Sequence, residues 1–312
     1  MPFGVRVTGD GVAGWVLTIL LQRAGLRVEL VPTPKRLLPT LLLPASTVQL
    51  FRDVLAAPNF LEALPRVTQR IVRWGDGVAQ TFEHDGLVVS EEQLLAELAK
   101  LASPSTALVQ PDFRIQAQGD IPSETIRSAW QIDIEVPADF AACAMEAVNE
   151  GWLFLLPGSK LLAVGDRPTH LLSQSQLIAP LLRSSGAAKG PFNVAPRLHD
   201  SLTGDKELRC GSAAATLDPI SGGGTAYALR EAILAAAVVR GIAEGGDAPS
   251  LLAHYEDRVT ASWDLHIKQA RGFYANVSLG PWWEVQTRTF KLEQRIPKPI
   301  RYRLDYDRLI PV

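Results

Sequence analysis

Val5-Arg6-Val7-Thr8-Gly9-Asp10-Gly11-Val12-Ala13-Gly14-Trp15 decides the fold class. Val5–Val7 reads as a short buried strand. Gly9, Gly11 and Gly14 follow with G-x-G-x-x-G spacing, and residues 15–24 read as an apolar helix closed by Gly25. Val28-Glu29-Leu30-Val31 is a second strand, ended by Pro32 and Pro34. Strand, glycine loop, helix and strand within about 30 residues open a βαβ unit. Each glycine has a reason in such a unit. The first permits the tight turn, the second lets backbone approach a pyrophosphate, and the third lets the helix pack on the strand. The helix N-terminus then offers free N–H groups and a positive dipole end to phosphate. Gly9, Gly11, Val12, Ala13 and Gly14 are therefore candidate dinucleotide ligands. Two residues cut against this. Asp10 puts a carboxylate inside a loop that should receive an anion. The acid that ordinarily ends the second strand to bind ribose is also missing, because its position falls near Pro32. The nearest acid, Glu29, lies earlier, within the strand.

Further along, residues 35–60 look irregular to helical. Arg70–Trp74 and Ala79–Phe82 flank Gly75-Asp76-Gly77 as a hairpin. Ser90 starts a helix through Leu101 with a capping-box pattern, and Phe113–Ala117 is a strand. Trp130–Val136, Trp152–Leu156 and Lys160–Val164 suggest an antiparallel sheet, the last two joined by Pro157-Gly158-Ser159. Gln174–Arg183 reads as a helix. Long helices run from about Thr225 to Ala243 and from Pro249 to Ala275, before a tail rich in Pro, Arg and aromatics.

A second glycine-rich passage, Gly211-Ser212-Ala213-Ala214-Ala215-Thr216-Leu217-Asp218-Pro219-Ile220-Ser221-Gly222-Gly223-Gly224, leads into the first of these long helices. It resembles the second flavin motif, G-D-A-A…D-P-x-x-G-x-G, of the para-hydroxybenzoate-hydroxylase-fold flavoproteins. Gly9–Trp15 resembles the G-x-G-x-A-G-W opening of flavin-dependent tryptophan halogenases. Gly151-Trp152-Leu153-Phe154-Leu155-Leu156-Pro157 is similar to their G-W-x-W-x-I-P segment, with Phe154 for the second Trp. The same features occur in flavoproteins that oxidise protein-bound tryptophan during quinone-cofactor maturation. The resemblance implies an α/β fold: a discontinuous, Rossmann-like FAD-binding domain (1–60, 88–120 and 195–245) and an inserted, shortened antiparallel-sheet substrate domain (61–87 and 121–194). A C-terminal helix and aromatic tail (246–312) complete it. It implies that Gly211, Ser212, Asp218, Pro219, Gly222, Gly223 and Gly224 lie along the ribityl chain and ring of FAD. The helix dipole would then stabilise a reduced, anionic flavin.

The departures from the family pattern are as informative. Ser212 replaces an Asp that contacts the ribityl chain, and Ser90, Glu91 and Glu92 stand where an arginine is common. With Asp10 and Pro32, four phosphate- or sugar-facing positions differ, each worth on the order of 1–3 kcal/mol; the expectation is weakly bound FAD. From Leu37 through Leu101 the only lysine is Lys100, so the halogenase lysine is missing. The implied activity is an FAD-dependent oxidoreductase of monooxygenase type acting on an aromatic, indole or peptide-bound substrate. The competing reading is an accessory scaffold that has lost its flavin.

Trp152 and Phe154 share one face of a strand, as substrate shield or as sheet core. Asp218 is a ring-positioning group or a helix-entry residue. His199 reads as a loop residue, and His254 and His266 sit on different faces of one helix. With 31 Lys+Arg against 33 Asp+Glu, no bulk attraction to nucleic acid or anionic membrane is expected. No stretch reaches the length of a membrane span. Cys143 and Cys210 suit two reduced, buried thiols in a cytoplasmic protein.

Overall fold

The computed structural model describes every residue except 1, 2, 35, 36, 39, 76, 105–108, 139, 158, 159, 293–297, 299, 306 and 307. The chain opens with β1 (Gly4–Thr8), α1 (Val12–Arg23) and β2 (Arg27–Val31). It continues through β3 (Leu41–Pro44) and α2 (Ala45–Val54) into β4 (Arg66–Arg73) and β5 (Gln80–Val89). Helix α3 (Glu91–Ala99) leads to β6 (Phe113–Gln116). Then come β7 (Ser128–Glu135), β8 (Ala142–Val148), β9 (Gly151–Leu156), β10 (Lys160–Val164), α4 (Pro168–Gln174) and β11 (Ser184–Asn193). Short strands β12 (Arg197–Leu198), β13 (Thr203–Gly204), β14 (Glu207–Arg209) and β15 (Ala215–Thr216) precede α5 (Gly224–Ala243) and α6 (Ala248–Ala275). Helix α7 (Pro281–Thr289) and the hairpin β16 (Tyr302–Asp305)–β17 (Arg308–Pro311) finish the fold.

Two sheets organise these elements. The first, in order β13-β14-β6-β1-β2, is parallel except for β13. Its strands come from three separate stretches of chain. The second has eight strands, β11-β7-β10-β9-β8-β4-β5-β3, and is antiparallel except where β4 meets β8. The chain therefore leaves the parallel sheet after β2 and after β6, and returns each time.

Among the described residues, the buried apolar side chains of the parallel sheet point to one side. Val5, Val7, Val28, Phe113, Ile115 and Leu208 point into a core shared with Val16 and Leu17 of α1, Leu94 and Leu98 of α3, and Leu229 and Val238 of α5. The alternate residues Glu29, Arg6, Arg114 and Glu207 line up in register across the opposite face. None of these four is buried, and Arg6 pairs with Glu29 at 2.7 Å. The first strand is buried as expected at Val5 and Val7, while Arg6 between them is only partly buried and lies on the polar face.

In the eight-stranded sheet, side-chain alternation along β9 sends Trp152 and Phe154 to one face and Leu153 and Leu155 to the other. The first face is closed by α6 and α7 through Trp263, Tyr274 and Trp283. The second is closed by the segment around Leu171 and Ile178. The pairs β4–β5 and β9–β10 form as the sequence predicts. Their turn residues Asp76, Gly158 and Ser159 lie outside the described residues. The capping box at Ser90 is present, with Gln93 as its partner.

Four expectations differ from the structure. Helix α1 begins at Val12 rather than Trp15. The 35–60 stretch contains a strand as well as a helix. Of the helix expected at 174–183 only a 3₁₀ turn at Ala179–Leu181 forms: α4 ends at Gln174, and the chain wraps around the buried Glu146 carboxylate. Glu146 accepts from the backbone N–H groups of Gln176 (2.8 Å), Leu177 (3.0 Å) and Ile178 (3.0 Å) and from the Ser175 hydroxyl. Those N–H groups cannot also serve a helix. Helix α7 was hidden in the aromatic tail. Its Trp283 is fully buried, donates its indole N–H to the Val148 carbonyl at 2.8 Å, and meets Trp74 and Trp282 edge-on. Trp283→Ala should therefore cost roughly 3–5 kcal/mol, read as a fall in the denaturant midpoint by far-ultraviolet circular dichroism.

Candidate functional site

The loop after β1 is shaped by exclusion of side chains. Gly9 has φ +107°, and a Cβ on it would sit 2.4 Å from Gln118 Cβ and 2.8 Å from Gln118 N. A Cβ on Gly14 would fall 1.8 Å from the Gly9 carbonyl oxygen. Both positions need glycine for close approach, as the G-x-G-x-x-G reading requires. Gly11 is the N-cap of α1 and supplies no side-chain cap, and no acid occupies the first turn. The N–H groups of Val12 and Ala13 have no such partner, and the helix dipole favours an anion there.

The second glycine passage reaches the same place. Gly211, at φ +58°, lies where a Cβ would be 2.9 Å from Ala13 Cβ and 2.9 Å from the Ala117 carbonyl oxygen. Next to it the Ser212 hydroxyl, exposed, accepts from Gly119 N–H at 3.4 Å. Residues 9–14, 117–119 and 211–213 thus converge at the C-terminal edge of the parallel sheet, where α/β folds place ligands. Gly211 is held from behind by Glu231 of α5, whose Oε2 accepts its N–H at 2.7 Å. Burial pushes the Glu231 carboxyl up to about 8, opposed by the Gly211 N–H and the Tyr227 hydroxyl. Burial also raises the adjacent Cys210 thiol well above its ordinary value and Cys143 to about 11, so both cysteines are inert.

The passage ends at Asp218, Pro219 and the glycines leading into α5. Gly222 has φ +60°, and Gly223 is the α5 N-cap without a side-chain cap. Asp218 is fully buried. Its carboxylate accepts from Ile220 N–H at 3.0 Å, from the Tyr274 hydroxyl at 3.3 Å, and from the Arg127 guanidinium in a short ion pair. Its own N–H donates to His266 Nε2 at 2.9 Å. Burial lowers His266 to about 4, so the ring is neutral and Nε2 is an acceptor. Arg127, 1% exposed, also donates to Gln286 Oε1 (2.8 Å) and Thr289 Oγ1 (2.9 Å). It lies 4.4 Å above the Tyr274 ring and 4.6 Å above that of Phe290. Asp218 is therefore a structural hub as well as a loop residue. Trp152, fully buried, donates its indole N–H to the Tyr274 hydroxyl at 3.0 Å, while Phe154 is only partly buried.

Arg127, His266 and Tyr274 were not identified as partners of Asp218 from sequence. They lie 91, 48 and 56 positions away from it, and none stands in a motif. Glu91 accepts from Leu38 N–H at 2.8 Å. His199 accepts from Ser201 N–H within its own loop, and His254 meets Tyr302 edge-to-face. Two surface clefts, beside Gln49 and Arg52 and beside Arg66 and His84, include none of the predicted site residues. Among the described residues no group of three His, Cys, Asp or Glu could hold a metal, and no helix is long and apolar enough to cross a membrane.

No family model matches the sequence, and no curated protein matches it. Solved structures do share the fold. The peptidyl tryptophan dihydroxylase QhpG, essential for tryptophylquinone cofactor biogenesis, superposes with a TM-score of 0.74 at 19% identity. The match covers 92% of this chain and 79% of that one. The flavin-dependent halogenase CmlS gives 0.76 at 16%, covering 92% and 68%. PqsL from Pseudomonas aeruginosa, a probable FAD-dependent monooxygenase, gives 0.70 at 15%, covering 93% and 99%. The chain has the α/β fold of these flavoenzymes, as the resemblance implied.

The Glu231 tie to Gly211 has a pH signature. Its folded-state pKa, about 8, lies above its ordinary 4.5. The stabilising protonated form is complete below about 4.5 and is lost as pH rises through about 8. Lowered His266 acts in the opposite sense and finishes by about pH 6.5. Between pH 6.5 and 8 the protein should lose roughly 2 kcal/mol of stability. Glu231→Gln should flatten that slope in urea titrations across this range.

Proposed function

We propose that the chain is an FAD-dependent oxidoreductase of monooxygenase type, acting on an electron-rich aromatic presented free or within a peptide. The observation that carries this reading is the contact of Gly211 with Ala13 in the first turn of α1. It brings two glycine passages, some 200 residues apart in sequence, onto one ligand-binding edge. A mononucleotide loop alone does not need the second passage; a flavin dinucleotide does.

The residues present fit that cofactor. Gly9 and Gly14 form a cradle that a Cβ would fill. The uncapped N-terminus of α1 suits a pyrophosphate, contacted by Gly11, Val12, Ala13 and Gly14. Gln118, whose Cβ and backbone N crowd Gly9, closes the other side of that cradle. Gly211 and Ser212 would run along the ribityl chain, and Asp218, Pro219 and Gly222–Gly224 along the ring. Residues 1–60, 88–120 and 195–245 would make up the cofactor-binding part. When bound, FAD would supply the redox chemistry: two electrons, taken from an external reductant such as a reduced nicotinamide, pass to dioxygen, with one oxygen atom going to the substrate and the other leaving as water. The chain's own residues bind, orient and keep the surroundings dry. Fully buried Asp218, locked by Arg127, fixes the loop that would carry the ring. Trp152, tied to Tyr274, stiffens the wall behind it, and partly exposed Phe154 is the better candidate for contact with substrate.

Support for an aromatic substrate comes from the fold neighbours. QhpG is named for action on peptidyl tryptophan, and a related structure holds PqsL with 2-aminobenzoylacetate. Halogenation is disfavoured because Lys100 is the only lysine from 37 to 101 and pairs with Glu97 at the end of α3. A scaffold without flavin is not favoured, since the close-approach glycines and the uncapped helix ends are kept.

The direct test is the visible absorbance of the purified protein after incubation with FAD and gel filtration. Retained flavin bands and substrate-dependent oxygen consumption with an aromatic peptide are expected. Absence of flavin binding at any concentration overturns the reading. Ser212→Asp should restore a charge-assisted contact and lower the FAD Kd roughly tenfold, about 1.4 kcal/mol, in a fluorescence titration.

A further inference from the structure

We infer that Asp10 and Thr33 form the seat for the adenosine ribose of the bound dinucleotide, an assignment that rests on the FAD reading above. Strands β1 and β2 end side by side, Thr8 in register with Val31, and Gly9 N–H donates to the Val31 carbonyl at 2.8 Å. At this exit from β2 a ribose-binding acid is wanted, and the chain has Pro32 instead. Glu29 is not a substitute. It lies on the polar face of the sheet and is paired with Arg6. The acid that the fold brings to the exit of β2 is Asp10, from the neighbouring strand. Its Oδ1 accepts from Thr33 N–H at 3.4 Å. The carboxylate thus turns across to β2 and leaves the anion position at the start of α1 to the helix N–H groups.

A carboxylate accepts hydrogen bonds and repels phosphate, so whatever binds beside it must donate. Thr33 Oγ1 lies in the same place, withdrawn from water and without a hydrogen-bond partner. The two oxygens of the Asp10 carboxylate, one residue upstream of the N-cap Gly11, match the vicinal diol of a ribose attached to a pyrophosphate. The neighbouring Gln118 Oε1, on the far side of Gly9, is similarly unpartnered. The ligand class is a nucleoside diphosphate group with a free 2′-hydroxyl, and a 2′-phosphate would be excluded by charge. Asp10, a residue that breaks the loop pattern in sequence, then substitutes for the acid that β2 lacks.

The test compares FAD, FMN, ADP and 2′-deoxy-ADP by calorimetric or fluorescence titration of the full chain and of Asp10→Asn. The asparagine keeps an Oδ1 acceptor for Thr33 N–H. Expected are a roughly tenfold loss of FAD and ADP affinity in D10N with FMN unaffected. On the wild-type protein 2′-deoxy-ADP should bind roughly tenfold weaker than ADP, a difference that D10N erases. The wild-type comparison stands even if the variant is unstable. FAD binding that is unchanged or tightened by D10N, with ADP and 2′-deoxy-ADP equivalent on the wild type, overturns this assignment and leaves the FAD reading intact. A wild-type protein that binds neither FAD nor ADP overturns both.

Discussion

Gly211 has no space for a side chain, since Ala13 and the Ala117 carbonyl oxygen crowd the position from two sides. That contact joins the start of α1, the end of β6 and the passage into α5, and the rest of the arrangement depends on it. It requires the left-handed backbone seen at Gly211, which glycine adopts at no steric cost. It also requires that Gly211 N–H be satisfied away from water, which the buried Glu231 carboxyl does. The same α5 helix that presents Glu231 packs against α1 through Leu229 and Val238. The ligand edge and the hydrophobic core of the parallel sheet are thus stabilised by one helix, so geometry at the glycines is coupled to packing behind them.

The other end of the passage is held differently. Asp218 is anchored by Arg127, Tyr274 and His266, which belong to the lead-in to β7 and to α6. A buried ion pair of this kind adds little net stability against an apolar alternative, because desolvation offsets the Coulomb gain. What it supplies is uniqueness. The carboxylate meets the Arg127 guanidinium, which lies over the rings of Tyr274 and Phe290 and is hydrogen-bonded to α7. The loop carrying Pro219 therefore takes its position from the C-terminal helices, and α6 and α7 are part of the site's scaffold rather than an appendage.

Local chemistry explains which features could be read from sequence. The glycine spacing at 9–14, the capping box at Ser90, the long helices and the alternating strands β7, β9 and β10 all announce themselves within a few residues. The Glu146 cluster does not: Ala142–Val148 reads equally as helix or strand, and the loop at 175–178 takes its shape from a carboxylate about 30 residues earlier. Arg127 is silent for the same reason. Its partners lie 91 to 162 positions downstream, and an arginine at 127 looks like any surface arginine until the fold encloses it. Asp10 was legible as an anomaly, but its direction was not, because that depends on where Thr33 leaves β2.

The parallel sheet is legible in the same local terms. Parallel sheets are ordinarily covered on both faces, and strands so covered read as continuous apolar runs. Here Arg6, Glu29, Arg114 and Glu207 interrupt the runs in register, so the alternation gives one face of the sheet to polar side chains. The core on the other side is dense in fully buried Val, Ile and Leu from β1, β2, β6, α1 and α5. The glycine passages meet at the edge of the sheet and not on its face, so their geometry is set by the strand ends and by the helices behind them rather than by the polar face.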